Sequence, residues 1–141
     1  MLGFNGLGNN GRLGNQMFQY AALKGIAAHH DYGYSIPPGD IETIDNYGIT
    51  ECFKLTNVGG HNIGMHPSKQ YVQEGQFHFN QELFERCPDN VNLYGFFQTD
   101  KYFRHIEDEI RQDFEFKKGY LEPCKEMIDG LDERPIFLHV R

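Results

Sequence analysis

Apolar residues recur along the chain in two spacings, alternate positions and steps of three or four, and the two change over in a strand, helix, strand order. Leu2 and Phe4 alternate among small residues, which predicts a short first strand within residues 1–8 that runs into the loop Gly8-Asn9-Asn10-Gly11-Arg12-Leu13-Gly14. Met17, Phe18, Ala21, Ala22, Leu23, Ile26 and Ala27 then cover a wide face at helical spacing, so residues 15–30 read as a buried helix with Asn15 as its N-cap. Residues 32–36 read as a second strand, ended by Pro37-Pro38-Gly39 because proline fixes φ and has no N–H to pair. From 40 to 68 the pattern is weak, and only a turn of helix over 41–47 is expected there. Further on, short strands are expected at 70–72 and 76–79, a helical turn at 81–86, and a strand over 91–97 with Val91, Leu93 and Gly95 alternating. Tyr102, Phe103, Ile106, Ile110 and Phe114 form a stripe that predicts one continuous helix over 99–114. A helix over 120–128 follows, and then the apolar run Ile136-Phe137-Leu138, which has the composition of a buried parallel strand. Strands alternating with helices, without an internal repeat, predict an α/β domain.

The 141 residues, 39% hydrophobic and 23% charged, suit one globular domain with a full core. The formal charge of -7, from 13 Lys and Arg against 20 Asp and Glu, argues against nucleic acid and anionic membrane surfaces as partners, since both select a basic face. It leaves room for a small anionic ligand held by a few local cations. The three cysteines, Cys52, Cys87 and Cys124, form no CxxC pair, which fits a reducing cytoplasmic setting and suggests neither a disulfide framework nor a zinc site. No apolar run approaches the roughly 20 residues of a transmembrane helix, and no basic-then-apolar leader pattern opens the chain.

Five groups of residues are candidates for chemistry. Gly6-Leu7-Gly8-Asn9-Asn10-Gly11 matches the GxGxxG pattern of dinucleotide-binding turns, but Asp31 precedes the second strand where the ribose-binding acid of that fold should end it. Residues 11–21 place Arg12, Asn15 and Gln16 at the mouth of a strand-loop-helix turn, where open α/β sheets present ligand groups; equally, Asn15 could serve only as a cap and Arg12 only as a solvated charge. His29-His30 and the pair His61 and His66 lack a third ligand at a metal-site spacing, so no metal is expected. Glu107, Asp108 and Glu109 between Arg104 and Arg111 have the spacing of ion pairs along a solvated helix face. At the end of the last apolar run, His139 and Arg141 share one side of an extended chain.

Gly11-Arg12-Leu13-Gly14-Asn15-Gln16-Met17-Phe18-Gln19-Tyr20-Ala21 resembles the G-x-L-G-N-Q-M-F-Q-Y-A signature near the N-terminus of the bacterial α-1,2-fucosyltransferases. Tyr94-Gly95-Phe96-Phe97-Gln98-Thr99-Asp100-Lys101-Tyr102-Phe103 resembles their G-[YF]-[FW]-Q-S-E-K-Y-F segment, with Thr99-Asp100 in place of Ser-Glu, and His139-Val140-Arg141 resembles the start of their H-V-R-R-G-D motif. The resemblance spans residues 2–141 in the family's order, over the first part of the family's length.

It implies a Rossmann-like N-terminal half of a two-domain, GT-B type glycosyltransferase, truncated, with residues 1–134 as the acceptor-side α/β domain and 135–141 as the first strand of the nucleotide-sugar domain. It further implies an inverting transfer of fucose from GDP-fucose to a hydroxyl of a galactose-containing glycan, without a metal. His139 and Arg141 would bind the donor, the guanidinium fork compensating charge that develops on the leaving pyrophosphate, while Arg12, Asn15 and Gln16 would face the cleft. The catalytic group stays unassigned, and the chain alone is expected to be inactive. Two other classes compete: a non-catalytic remnant or carbohydrate-binding module, and a dinucleotide-binding oxidoreductase, which would need a pyrophosphate at Gly8 and Gly11.

Overall fold

Four short stretches of extended chain share one parallel sheet in a computed structural model that describes residues 1–39, 48–133, 135, 136 and 138. They are β1 (Leu2–Gly3), β2 (Tyr34–Ser35), β3 (Tyr71–Gln73) and β4 (Val91–Tyr94), in the order β2-β1-β4-β3. All neighbours run parallel, with Leu2 beside Tyr34 and Val91, and Gly3 beside Ser35 and Asn92. The fold is therefore α/β, as the alternation of patterns predicts, and its small parallel sheet is compatible with a Rossmann-like arrangement.

Alternation sorts the two faces of this sheet. Leu2, Phe4, Val91 and Leu93 are fully or almost fully buried and join the core with α1 (Leu13–His29), whose Tyr20, Ala22, Leu23 and Ile26 are equally hidden. The opposite face carries Gly3, Ser35 and Asn92, and an irregular segment around His66 lies on it instead of a helix. Gly3 is required there, because a Cβ at that position would stand 2.2 Å from the Cβ of His66.

The remaining elements are α2 (Ile49–Cys52), a 3-10 turn at Gly60–Asn62, α3 (Gln81–Arg86), two 3-10 turns at Asp100–Tyr102 and Arg104–Ile106, α4 (Glu107–Asp113) and α5 (Lys118–Asp129). Residues 81–86 form the helix the sequence predicts, capped by Asn80, whose side chain accepts from the Leu83 N–H at 3.0 Å. β3 falls one residue later than expected.

Several expectations fail for tertiary reasons. The stripe over 99–114 is broken into two 3-10 turns and α4, because the chain at Tyr102 and Phe103 lies directly on Gly25 of α1. A Cβ at Gly25 would stand 2.2 Å from the Tyr102 carbonyl oxygen, and the His105 Nε2 sits 3.0 Å from the Gly25 carbonyl. Phe103 adopts φ -137 and ψ 6, which interrupts the helix. Residues 76–78 form bends and 79 is irregular, since Gln76 and Phe77 are exposed and among the described residues no strand lies beyond β3 to pair with them. β4 stops at Tyr94 instead of 97. Ile136 and Leu138, expected in a buried strand, are 96% and 86% exposed and pair with no strand, and an apolar run becomes a buried strand only where neighbours pair with it and cover both faces. The helical turn expected at 41–47 lies outside the described residues.

α5 covers the predicted 120–128 but holds Pro123 internally and buries no residue. It is tethered at its start, where the Lys117 Nζ donates to the Thr50 carbonyl at 2.6 Å and the Tyr120 hydroxyl donates to Glu51 at 2.9 Å.

One buried polar cluster joins α1 to α4. The fully buried Asp113 accepts from the Lys24 Nζ and the Tyr20 hydroxyl, each at 2.7 Å, and from the backbone and side-chain nitrogens of Asn57 at 2.9 and 3.0 Å. Arg104 with Asp100 and Arg111 with Glu107 make the exposed i,i+4 pairs that the spacing predicts.

Candidate functional site

β1 and β4 lie side by side in the middle of the parallel sheet, with β2 and β3 at its edges. In open parallel sheets ligands bind outside the carboxyl ends of the strands, among the loops that leave them. Here those loops are residues 4–12 and 95–99, and the first turn of α1 opens between them.

Each loop is shaped by its sequence. Leu7 is fully buried and anchors the first loop, while Gly8 and Gly11 take positive φ angles of 94° and 97° that favour glycine. Gly11 also has no space for a side chain, since a Cβ would stand 1.9 Å from the Asn15 amide nitrogen. In the second loop Gly95 takes φ 153° and Phe97, a bulky residue, sits at φ 52°. Such a conformation costs on the order of 1–3 kcal/mol and persists only where its surroundings enforce it. They do so here: Glu74 Oε2 accepts from the backbone N–H groups of Phe96 and Phe97 at 3.1 and 2.6 Å, and the Phe97 ring stands edge-on to Phe4 and Tyr102.

Two side chains of α1 tie the loops together. Gln19, fully buried, donates through Nε2 to the carbonyls of Asn10 and Gly95, both at 3.0 Å, and so spans the first loop and the second. Asn15 accepts through Oδ1 from the Gln98 amide at 2.7 Å. The two segments 11–21 and 94–103, far apart in sequence, thus meet face to face at the carboxyl end of the sheet.

Of the residues that sequence reasoning singled out, Arg12 and Asn15 lie at this mouth. Arg12 is exposed and occupies the N-cap position of α1 with no capping bond from its side chain. Its carbonyl accepts from the N–H groups of Asn15 and Gln16 at 2.9 and 3.1 Å. Asn15 is therefore not the cap but the third helical residue, which frees its amide to reach Gln98. Gln16 lies apart from the mouth: it is fully buried, and its Oε1 accepts from the backbone N–H groups of Gly48 and Ile49 at 3.0 and 3.2 Å, fastening α2 to α1. His139 and Arg141 lie outside the described residues. Sequence reasoning missed Gln19, Gln98 and Glu74; the first two sit inside the quoted segments, and nothing local marks the third.

The mouth opens across β4 and β3 into two clefts that share Tyr94 and Gln73. One, of about 500 Å³, is bordered by Asn5, Asn9, Met65 and Tyr71; the other, of about 270 Å³, by Asn10, residues 74–77 and Phe96. A separate apolar groove runs between α1 and residues 100–114 over Met17, Phe18, Phe103 and Ile110, rimmed by the ion pairs of Arg104 and Arg111, and it presents few polar groups to a ligand.

Among the described residues no three His, Cys, Asp or Glu side chains gather as a metal centre, and no helix is long and apolar enough to cross a membrane. His66 packs over Gly3, and its Nδ1 accepts from the Ser68 N–H at 3.3 Å. Burial and the nearby N-terminal ammonium hold its imidazole below the ordinary histidine range. The glycine-rich run departs from a dinucleotide turn in two ways: α1 begins beyond Gly11, at Leu13, and the described residues after β2, 36–39, hold no acid.

Fold and site together define an α/β chain with an amide-lined mouth at the carboxyl end of a small parallel sheet. No family profile, curated protein or solved structure matches it.

Proposed function

We propose that the chain is the N-terminal portion of a sugar transferase of the α-1,2-fucosyltransferase kind, with a GT-B type two-domain parent, and that the mouth between residues 4–12 and 95–99 receives the sugars. One observation supports this above the others. The two internal segments that resemble the fucosyltransferase signatures are joined across the mouth by Gln19 and by the Asn15 and Gln98 pair. A shared ligand site gives a reason for two distant segments to bring polar amide side chains to one point.

In this reading residues 1–134 form the acceptor side. Arg12 and the open first turn of α1, which carries no acidic residue, give the mouth a positive rim toward a phosphate-bearing donor, GDP-fucose. His139 and Arg141 are the donor-binding groups, with Arg141 placing two N–H donors on pyrophosphate oxygens as the glycosidic bond breaks. Asn15 and Gln98 orient hydroxyls of a galactose-containing acceptor, and the transfer inverts the anomeric centre without a metal.

A carbohydrate-binding module without catalysis is the second reading. What favours it is that Glu74, the acid bordering the smaller cleft, is held in place by the backbone N–H groups of Phe96 and Phe97 on its Oε2.

The test of sugar recognition is an amide-resolved NMR titration of the 15N-labelled chain with lactose. The expected result is that the signals of Asn10, Gly11, Asn15, Gly95 and Gln98 move together, with dissociation in the millimolar range. Gln98→Ala should weaken the response several-fold without changing the remainder of the spectrum. Unmoved signals at tens of millimolar lactose would remove the sugar reading in both its forms.

A further inference from the structure

On the reading of the mouth as a sugar site, we propose that its ligand is an extended neutral oligosaccharide, which leaves the mouth across the exposed Tyr94, Gln73 and Tyr71 and stacks its rings on the two tyrosines. Register puts these three residues on one face of the sheet: Gln73 pairs with Tyr94 and Tyr71 with Asn92, so Tyr71, Gln73, Asn92 and Tyr94 point the same way. The same face is covered at Gly3 and Asn92 by His66 and Asn5, and the cover stops short of the tyrosines. Tyr71 is 59% and Tyr94 42% exposed, and Phe77 and Phe96 flank the second cleft. Large rings left in water on one face of a sheet mark a recognition surface.

The polar groups select the chemistry of the ligand. Asn9, Gln73 and Gln76 have no side-chain hydrogen-bond partner among the described residues. Each offers two donors and an acceptor, which matches sugar hydroxyls that also donate and accept. No Lys or Arg borders either cleft among the described residues, so the strip offers an anionic segment nothing to compensate its charge. The apolar C–H faces of pyranose rings fit flat aromatic surface. Strand geometry sets Tyr71 and Tyr94 about 8 Å apart between their Cα atoms, one strand over and two residues along. A single ring is too short for that span, so covering it takes two linked rings beyond those the mouth already holds, and lactose, seated in the mouth, does not reach it.

The experiment compares lactose with the neutral tetrasaccharide lacto-N-tetraose in NMR titrations of the chain, its Tyr71→Ala and Tyr71→Phe variants, and adenosine monophosphate as a charged stacking probe. The tetrasaccharide is expected to bind at least about tenfold more tightly than lactose. Tyr71→Ala should abolish that advantage while leaving lactose binding as it was, and Tyr71→Phe should retain it. Tyr71 is exposed, and an unchanged urea transition will show that the variants fold. Equal affinity for the two sugars, or a tetrasaccharide advantage that survives Tyr71→Ala, overturns the strip and leaves the mouth as a site for one or two sugars. Stronger binding of adenosine monophosphate overturns the neutral-sugar class. Silence toward both sugars overturns the strip and the sugar reading of the mouth together.

Discussion

Replacing Asp113 with Ala removes the carboxylate on which the contact between α1 and α4 converges. Its partners cannot follow it into water. The Lys24 ammonium is 6% exposed and would keep only the solvent-facing Glu109 at 3.2 Å, while the hydroxyl of the fully buried Tyr20 would lose its acceptor, as would the backbone and side chain of Asn57. Breaking a buried ion pair from one side costs about 3–5 kcal/mol, because the stranded charge is what destabilises. For a chain of this size that is a fall in Tm of about 10 °C or more. Thermal and urea unfolding followed by circular dichroism measure it, with Glu107→Ala as the control, expected to cost less than about 0.5 kcal/mol as one half of an exposed i,i+4 pair. Adding Lys24→Met to Asp113→Ala should recover at least about 2 kcal/mol by removing the stranded charge. A pH series adds an independent check. Burial works against the charged carboxylate, but the bonds from Lys24, Tyr20 and Asn57 outweigh it and hold Asp113 below the ordinary Asp value. Its contribution is therefore complete above about pH 4, the unfolded-state value, and fades as pH falls through the lower folded value. Asp113→Asn should flatten stability in that acid range. A single-variant loss below about 1 kcal/mol, or a double variant no better than Asp113→Ala, would refute the reasoning.

Four further outcomes are expected. Gly25→Ala should cost at least about 1–3 kcal/mol in urea unfolding, although alanine is the better helix former, because its Cβ meets the Tyr102 carbonyl; a stabilised variant would show that the 3-10 segment can shift off α1. Asn80→Ala should destabilise by about 1 kcal/mol through loss of the α3 cap, measured the same way, and Asn80→Asp should retain most of it. His66 is held neutral by burial, so its folded pKa lies below the unfolded value near 6.5; stability should decline as pH falls below about 6.5, and His66→Gln should reduce that slope in pH-dependent thermal unfolding. Burial, with Asp89 adding to it, pushes the Cys87 thiol up to about 11, whereas Cys124 is exposed; alkylation with iodoacetamide followed by mass spectrometry should label Cys124 first and Cys87 only on unfolding.

Period, punctuation and turn chemistry made much of the chain legible in advance. The α1 stripe from Met17 to Ala27, the proline stop after β2, the helical turn at 81–86 and the ion-pair spacing around Glu107 depend on residues within a few positions of one another, and such short-range preferences act whatever the remainder of the chain does. Residues 11–21 could likewise be singled out because a polar turn beside an apolar helix is a local pattern. Tertiary structure alone decided the rest. The stripe over 99–114 has helical spacing, yet Gly25 lets another backbone come so close to α1 that contact at Tyr102 and Phe103 outweighs the helix preference. Gln16 and Asn15 are adjacent polar residues with similar local prospects. The turn of one helix sends the first inward to Gly48 and Ile49 and the second to Gln98, and no local signal ranks them. The mouth itself exists only because parallel pairing sets β4 beside β1, so that Gln19 can bridge loops separated by most of the chain. Sequence spacing carries short-range preference, and which distant segments meet is settled by the burial and pairing of the whole sheet.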